Sequence, residues 1–249
     1  MKRVQNLPGV LFIIRDNKIQ FLMATLPYPV SKIKTIFWLI AISFFSYKMA
    51  EIILPYTSGR WDIDFLLTKQ AIIHLDYYRW AFYAHIYSSI FVLFSGAILF
   101  PIYFQKNWPR LHRWTGKIYV GLLLFISAPS ALVMAFHANG GWAAQVGFVF
   151  LAPLWWWFTY QGYQSARKKQ FKEHKKWMAR SYALSLSAVS LRVYQMLLGH
   201  FVEMDPALQY VLVSWASWVG NLAVAEIWAS SNVINFKTNR KKGHSIALQ

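Results

Sequence analysis

The side chains able to do chemistry in this chain are few. It has seven histidines and no cysteine, which removes disulfides, thiolate nucleophiles, iron–sulfur clusters and cysteine-ligated zinc. One phrase occurs twice. Residues 111–121 read LHRWTGKIYVG and residues 173–184 read EHKKWMARSYAL. Each has a histidine followed at once by Lys or Arg, then a tryptophan, another basic residue and a tyrosine, where a long apolar run begins. His112 and His174 are thereby set beside Arg113 and Arg180. Within the apolar runs the ionisable residues are Lys48, Glu51, His85, Arg192 and Glu226. Imidazole is the usual axial ligand of haem iron and takes up a proton near neutral pH, and guanidinium holds carboxylate or phosphate. No serine stands in a nucleophile-elbow motif, and the Gly140-Gly141 pair reads as a tight turn rather than a phosphate cradle.

The elements that must position these groups are membrane helices. Of the 249 residues, 57% are hydrophobic and only 14% charged, a balance far from that of soluble chains. About 20 apolar residues cross the hydrocarbon layer. Six runs qualify, near 35–55, 80–104, 114–138, 141–164, 177–201 and 207–231, punctuated by Pro55, Asn139-Gly140-Gly141 and Pro206. The expected fold is an all-α integral membrane protein, a bundle of six transmembrane helices. Residues 1–34 form a cytoplasmic or interfacial N-terminal segment, 35–231 the transmembrane domain and 232–249 a basic tail. The stretch LPGVLFII, interrupted by Arg15, reads as a segment lying along the inner surface rather than a signal peptide. The connection 56–79 has the pattern of an interfacial helix.

The formal charge of +17 acts as a topology signal rather than a nucleic-acid footprint. Most of the 26 basic residues lie in the N-terminal segment, the second and fourth connections and the tail, all on one side if six spans alternate. The other side has Arg60, Lys69 and Arg79 against Asp62, Asp64, Asp76, Glu203 and Asp205. Both termini are therefore expected in the cytoplasm of a bacterial cell, with the protein in the inner membrane.

Helical periodicity sorts the polar groups into two layers. His174, Ser181, Ser185 and Arg192 share a face of the fifth span; His85, Ser88, Ser89 and Gly96 share one on the second; His112, Gly116, Tyr119, Ser130 and His137 share one on the third if Pro129 does not rotate it. The inner layer has His112, Arg113, His174 and Arg180. The outer has His85 and Arg192, with His137 and His200 near helix ends. Simpler roles stand beside these. Trp114, Trp177, Tyr119 and Tyr182 with their basic neighbours fit an aromatic belt with snorkelling cations. Lys48 and Glu51 have the spacing of a mutually neutralising pair, and Glu226 that of a partner for the cytoplasmic cations.

The phrases LHRWTGKIYV, HKKWMARSYALSLSAVSLR and SWASWVGNLAVAE, in this order, resemble a bacterial family of multi-pass membrane proteins catalogued as domain-of-unknown-function family 2306, over roughly residues 79–229. The resemblance implies roles for His85, for the His112-Arg113-Trp114-x-Gly116 phrase and for His174, Trp177, Met178, Arg180, Ser181 and Tyr182. It also implies Arg192 and the stretch from Trp218 to Glu226. One departure is that Gly96-Ala-Ile-Leu-Phe100 stands where the family tends to have Gly-Pro-x-Gln-Phe.

Two functions compete. In the first the protein is a b-type membrane cytochrome that transfers electrons to a membrane or redox partner. His112 and His174 ligate haem b, His85 serves an outer site with His137 or His200, and Arg113, Arg180 and Arg192 face propionates; no metal other than haem iron is expected. In the second it binds or carries an anionic small molecule or lipid headgroup, at the basic helix mouths or at Arg192 and His85, with His85 protonation coupled to binding. A structural subunit, whose polar residues serve packing alone, is the third reading. No reaction class follows from the sequence.

Overall fold

The computed structural model describes the backbone of residues 6–7, 10–15, 18–22 and 28–247, and the side chains of residues 33–229. Ahead of the helices, strands β1 (Asn6–Leu7), β2 (Val10–Arg15) and β3 (Lys18–Leu22) pair antiparallel in the order β1-β2-β3, with Ile13 opposite Gln20. The stretch read as lying along the inner surface thus has strand pairing of its own, as its β-branched run Val10–Ile14 favours.

From residue 33 to residue 229 every regular element is helical. α1 (Tyr28–Ile53) tightens into a 3-10 turn at Leu54–Ser58 and stops at Gly59, whose φ of 69° is the left-handed cap. The connection expected as an interfacial helix is instead a second 3-10 segment, Asp64–Lys69, within an irregular loop. Leu66 and Ile73 turn inward and join Tyr56, Tyr78 and Phe82 in a small core, while Leu67 stays exposed. Next come α2 (Asp76–Leu99) and the short α3 (Ile102–Asn107). α4 (Pro109–Leu122) and α5 (Ala128–Ala135) flank a π-turn at Leu123–Ser127. Pro129 cannot donate a backbone hydrogen bond, and the widened turn before it absorbs that loss. The extra residue shifts the register, so His112 and His137 do not share a simple helical face.

α6 (Gly141–Arg167) follows a sharp reversal at Gly140 and Gly141, both at positive φ. A Cβ on Gly140 would come within 2.8 Å of the Tyr210 ring. The expected fifth span is two helices, α7 (Phe171–Ser185) and α8 (Ser187–Phe201), broken at Leu186. α9 (Pro206–Ala247) starts with proline at the position where a missing N–H costs nothing.

Among the described residues, four helical segments are long and apolar enough to cross a bilayer: Ile33–Ser58, Asp76–Leu99, Pro109–Ala135 and Pro206–Ala229. α6 has the length, but Gln145, Pro153, Trp155–Trp157 and Gln161 dilute its hydropathy. α7 and α8 fall short because each has only 15 residues. The bundle has two chemically distinct ends. One, the basic end, gathers Lys106, Arg110, Arg113, Lys117, Arg167, Lys168, Lys169, Lys172, Lys175 and Lys176. The other, the acidic end, holds Asp62, Asp64, Asp76, Glu203 and Asp205. Between them, exposed aromatics such as Phe37, Phe44, Phe91, Phe125 and Phe150 face outward, as apolar solvent requires.

Candidate functional site

At the basic end the two repeated phrases begin α4 and α7, and most of their polar residues are engaged within the protein. Arg180 donates two hydrogen bonds to the Glu226 carboxylate, one through Nε and one through Nη2 at 2.8 Å, and lies over the Trp177 ring. The expectation that Glu226 answers the basic cluster holds. Arg180 is thereby committed to a carboxylate rather than open to a propionate or other anion. Lys117 lies over the Trp114 ring, 5.0 Å from its centroid, and Trp114 is exposed, so this pair is interfacial trim. His174 Nδ1 lies 2.8 Å from the Gly162 carbonyl oxygen, so Nδ1 carries a proton and donates it there. His112 lies within electrostatic range of His174, and its Nδ1 is buried with no hydrogen-bond partner. Arg113 is exposed.

Deeper in the same half the phrases form a single polar joint. Tyr119 Oη lies 2.7 Å from Ser181 Oγ and 3.1 Å from Ser185 Oγ, and Thr159 Oγ1 lies 2.6 Å from Ser181 Oγ. Trp155 Nε1 donates to Ser185 Oγ at 3.0 Å. Each of these groups is buried and satisfied, which ties α4, α6 and α7 together where no water competes. Tyr182 donates to the Leu93 carbonyl at 2.8 Å and its ring presses on Gly96, where an added Cβ would lie 2.0 Å from the ring. Gly162 is likewise covered by Met178, whose Sδ would be 2.5 Å from an added Cβ. The glycine and tyrosine of two separate motifs are therefore two sides of one contact.

The other half of the bundle is built differently. A cavity of about 750 Å³ lies among α1, α2, α5, α6, α8 and α9, with mostly apolar walls and a floor that includes Trp155 and Ser185. Its size is that of a small-molecule site. His85 and Arg192 both line it, as the outer layer predicts. His85 Nδ1 is 3.0 Å from the Ser127 carbonyl, in the π-turn, so Nδ1 donates to it and Nε2 has Ser89 Oγ as its polar neighbour. Ser89 Oγ lies 3.4 Å from the ring. Ser127 closes the π-turn, and the Leu124 carbonyl that the turn bypasses accepts from Trp156 Nε1 at 3.1 Å, a local geometry periodicity could not show.

Arg192 is the anomaly. Its Nη1 donates to the Ala188 carbonyl of its own helix at 3.1 Å. Among the described residues no carboxylate lies within ion-pairing distance of it. Its other electrostatic neighbours are the neutral phenols Tyr56 and Tyr210 and the imidazole of His85. Gln195 and Tyr210, which the sequence reading passed over, complete the polar wall beside it. Glu51 and Asp64 also border the cavity, but Glu51 is paired with Lys48 at 2.5 Å. His137 and His200 are not in the cavity: His137 Nε2 is 3.1 Å from Tyr77 Oη, and His200 packs edge-on against Phe201. His112 and His174 are not in it either. His85 thus has no second histidine within the cavity.

Apolar helices, a lipid-facing aromatic surface and polar groups turned inward define a helical membrane protein with an internal cavity. The chain belongs to the family described as predicted membrane protein DUF2306, whose model matches residues 82–229. The chain matches none of the curated proteins and none of the solved structures with which it was compared.

Proposed function

We propose that this protein crosses the bacterial inner membrane six times, with both termini in the cytoplasm, and binds an amphipathic monoanion in the cavity between His85 and Arg192. The positive-inside rule supports the orientation, because the basic end carries the connections between α2 and α4 and between α6 and α7. α6 spans by its length, and α7 with α8 spans as a broken pair, which is tolerated where the break is buried in protein.

The observation that carries the binding reading is the guanidinium of Arg192 beside the cavity without a carboxylate partner. Arg192 is exposed beside the cavity rather than packed into protein, so its guanidinium is open to a ligand. Within the spanning region such a charge is costly unless an anion or water answers it. Arg180 shows how this fold pairs a cation when the pairing is structural. With Glu51 neutralised by Lys48 and Asp64 at the acidic rim, the lining suits one negative charge and disfavours several. His85 adds a hydrogen-bond partner, and the apolar walls take the rest of the ligand.

Haem b is the second reading, favoured by one observation: His85 donates its Nδ1 proton to a backbone carbonyl, the arrangement that orients metal-ligating histidines. In that case His85 Nε2 holds the iron and Arg192 a propionate, in the cavity rather than at the basic helix mouths. The inner pair fits haem less well, since Arg180 is committed to Glu226. Haem supplies one-electron chemistry when bound.

One preparation separates the readings. The protein purified in mild detergent with ample haem supply is expected to be colourless, and to gain thermal stability from a monocarboxylate in an Arg192-dependent way. A Soret band with sharp reduced α bands that His85→Ala abolishes would replace the anion reading with the haem one. Stabilisation that is indifferent to Arg192 would sink the anion reading outright.

A further inference from the structure

The cavity has a side that helix packing does not close. α1 packs on α2, on α3 and on the turn that follows it; α8 packs on α9 and on α7; α1 and α8 share no extended packing. Yet both line the cavity, α1 through Met49, Ile52 and Ile53 and α8 through Ala188, Leu191 and Arg192. The wall between them is therefore a seam rather than an interface. The seam lies in the half toward the acidic end: Ile52 and Ile53 close α1, and Arg192 is nine residues from the end of α8, roughly 13 Å by helical rise. Its two sides present Met49, Ile52, Ile53, Ala188 and Leu191, with Glu51, Arg192 and Gln195 as the polar members, and Glu51 is paired with Lys48.

We infer that the ligand is a single-chain anionic lipid that enters sideways from the acidic-end leaflet, its head against Arg192 and His85 and its chain lying in the seam between α1 and α8. This rests on the anion reading of the cavity and names its ligand class. Charge complementarity selects the head. Arg192, exposed on α8, borders a cavity whose lining includes Asp64 toward the acidic end, and that carboxylate opposes a water-soluble anion arriving from there. A lipid approaches through the hydrocarbon and avoids that carboxylate. Its head costs little to desolvate, because it exchanges headgroup water for a guanidinium, an imidazole and the Tyr210 and Gln195 side chains. A chain in the seam also covers the apolar edges of α1 and α8 that these helices do not cover for each other.

The test uses the full-length protein in detergent, with radiolabelled oleate as the lipid probe and benzoate as a water-soluble carboxylate of similar head chemistry. Arg192→Gln is expected to weaken both at least tenfold. Ala188→Trp, which fills the seam from the α8 side and also narrows the cavity wall, is expected to weaken oleate at least tenfold more than it weakens benzoate. Ile52→Trp fills it from the α1 side and guards against a folding defect in the first variant, with thermal stability measured for each. Equal binding of the two probes, dependent on Arg192 and untouched by either tryptophan, would overturn lateral lipid entry while leaving the anion cavity in place. Arg192-independent binding, or no binding of either probe, would overturn both. Oleate excluded by a stable dimer that buries the seam would show that a second copy of the chain covers it instead.

Discussion

Arg180 and Arg192 are consecutive arginines on neighbouring helices, and the fold treats them in opposite ways. Arg180 meets Glu226 in a two-point ion pair and stacks on Trp177. Arg192 bonds only the carbonyl of Ala188, one turn back on its own helix, and borders a cavity of about 750 Å³. The contrast extends to their surroundings. Around Arg180 the hydroxyls of Tyr119, Thr159, Ser181 and Ser185 satisfy one another and glycines admit close ring contacts. Around Arg192 there is space. The half around Arg180 satisfies most of its polar groups within the protein, His112 Nδ1 excepted, and the half around Arg192 leaves more of them open, which is why the proposed site lies at His85 and Arg192.

The largest expected effect is at the tightest point of the closed half. Gly96→Ala puts a methyl group into the Tyr182 ring, which is pinned by its bond to Leu93 and by Trp38 and Phe100 around it. A loss of about 3 kcal/mol is expected, read as a collapse in folded yield or unfolding temperature. Gly121→Ala, with nothing within 4 Å, is the neutral control. If Gly96→Ala were tolerated as well as Gly121→Ala, the closed half would not be rigidly packed and the contrast would lose its structural side.

The sign of two arginine substitutions sharpens the comparison next. Arg192→Gln removes an exposed cation that no carboxylate among the described residues answers, so the ligand-free protein should gain slightly in stability rather than lose it, while anion binding falls at least tenfold. Breaking the other pair should act the opposite way. Glu226→Gln leaves Arg180 without its carboxylate and costs about 2 kcal/mol, a figure held down because the Glu226 side chain is 46% exposed. Ligand affinity should not move. A double-mutant cycle on Arg180→Gln and Glu226→Gln that returned no coupling would remove the case for calling that pair structural.

Tyr119→Phe is a smaller probe of the closed half. It deletes the hydroxyl shared by Ser181 and Ser185 while keeping the ring volume, at a cost of about 1 kcal/mol, since interhelical hydrogen bonds in membranes are modest. The expected readout is a lower unfolding midpoint in detergent with unchanged oleate affinity. A changed affinity would mean that the hydroxyl joint reaches the cavity through Ser185, which also lines it.

The sequence makes some of this legible and hides the rest for physical reasons. Long apolar runs reveal where helices lie, and helical spacing correctly links Ser181 and Ser185 and correctly pairs Lys48 with Glu51. The break at Leu186 and the π-turn before Pro129 were hidden, because each changes the register without changing composition. Four segments rather than six meet the length and hydropathy needed to span. The tryptophans that dilute α6 and the break that shortens the fifth run account for the other two. The two repeated phrases share a position at the helix mouths, where His112 and His174 lie outside the cavity. That Gly96 belongs with Tyr182, or that Arg192 lacks a partner, depends on distances between helices, which no local pattern encodes.

Lys69 offers a third kind of cation and the smallest effect. It lies outside the spanning segments, at the acidic end, only 5% exposed, and donates to the His137 carbonyl and the Asn139 side chain. It is closed like Arg180, but by neutral acceptors, and burial holds its ammonium below the ordinary value of 10.5. The unfolded chain therefore keeps the proton to higher pH than the folded one. Between the folded value and 10.5 the unfolded state binds more protons, so this residue makes stability rise with pH across that window and contributes no slope below it. The measurement is the unfolding midpoint of the native protein minus that of Lys69→Met, followed through the alkaline range. At neutral pH the difference should favour the native protein by about 1 kcal/mol, the worth of its hydrogen bonds, and should grow slightly toward pH 10.5. A difference that shrinks with rising pH would mean the two acceptors outweigh desolvation, and Lys69 would then belong beside Arg180 as a charge the fold seeks rather than one it tolerates.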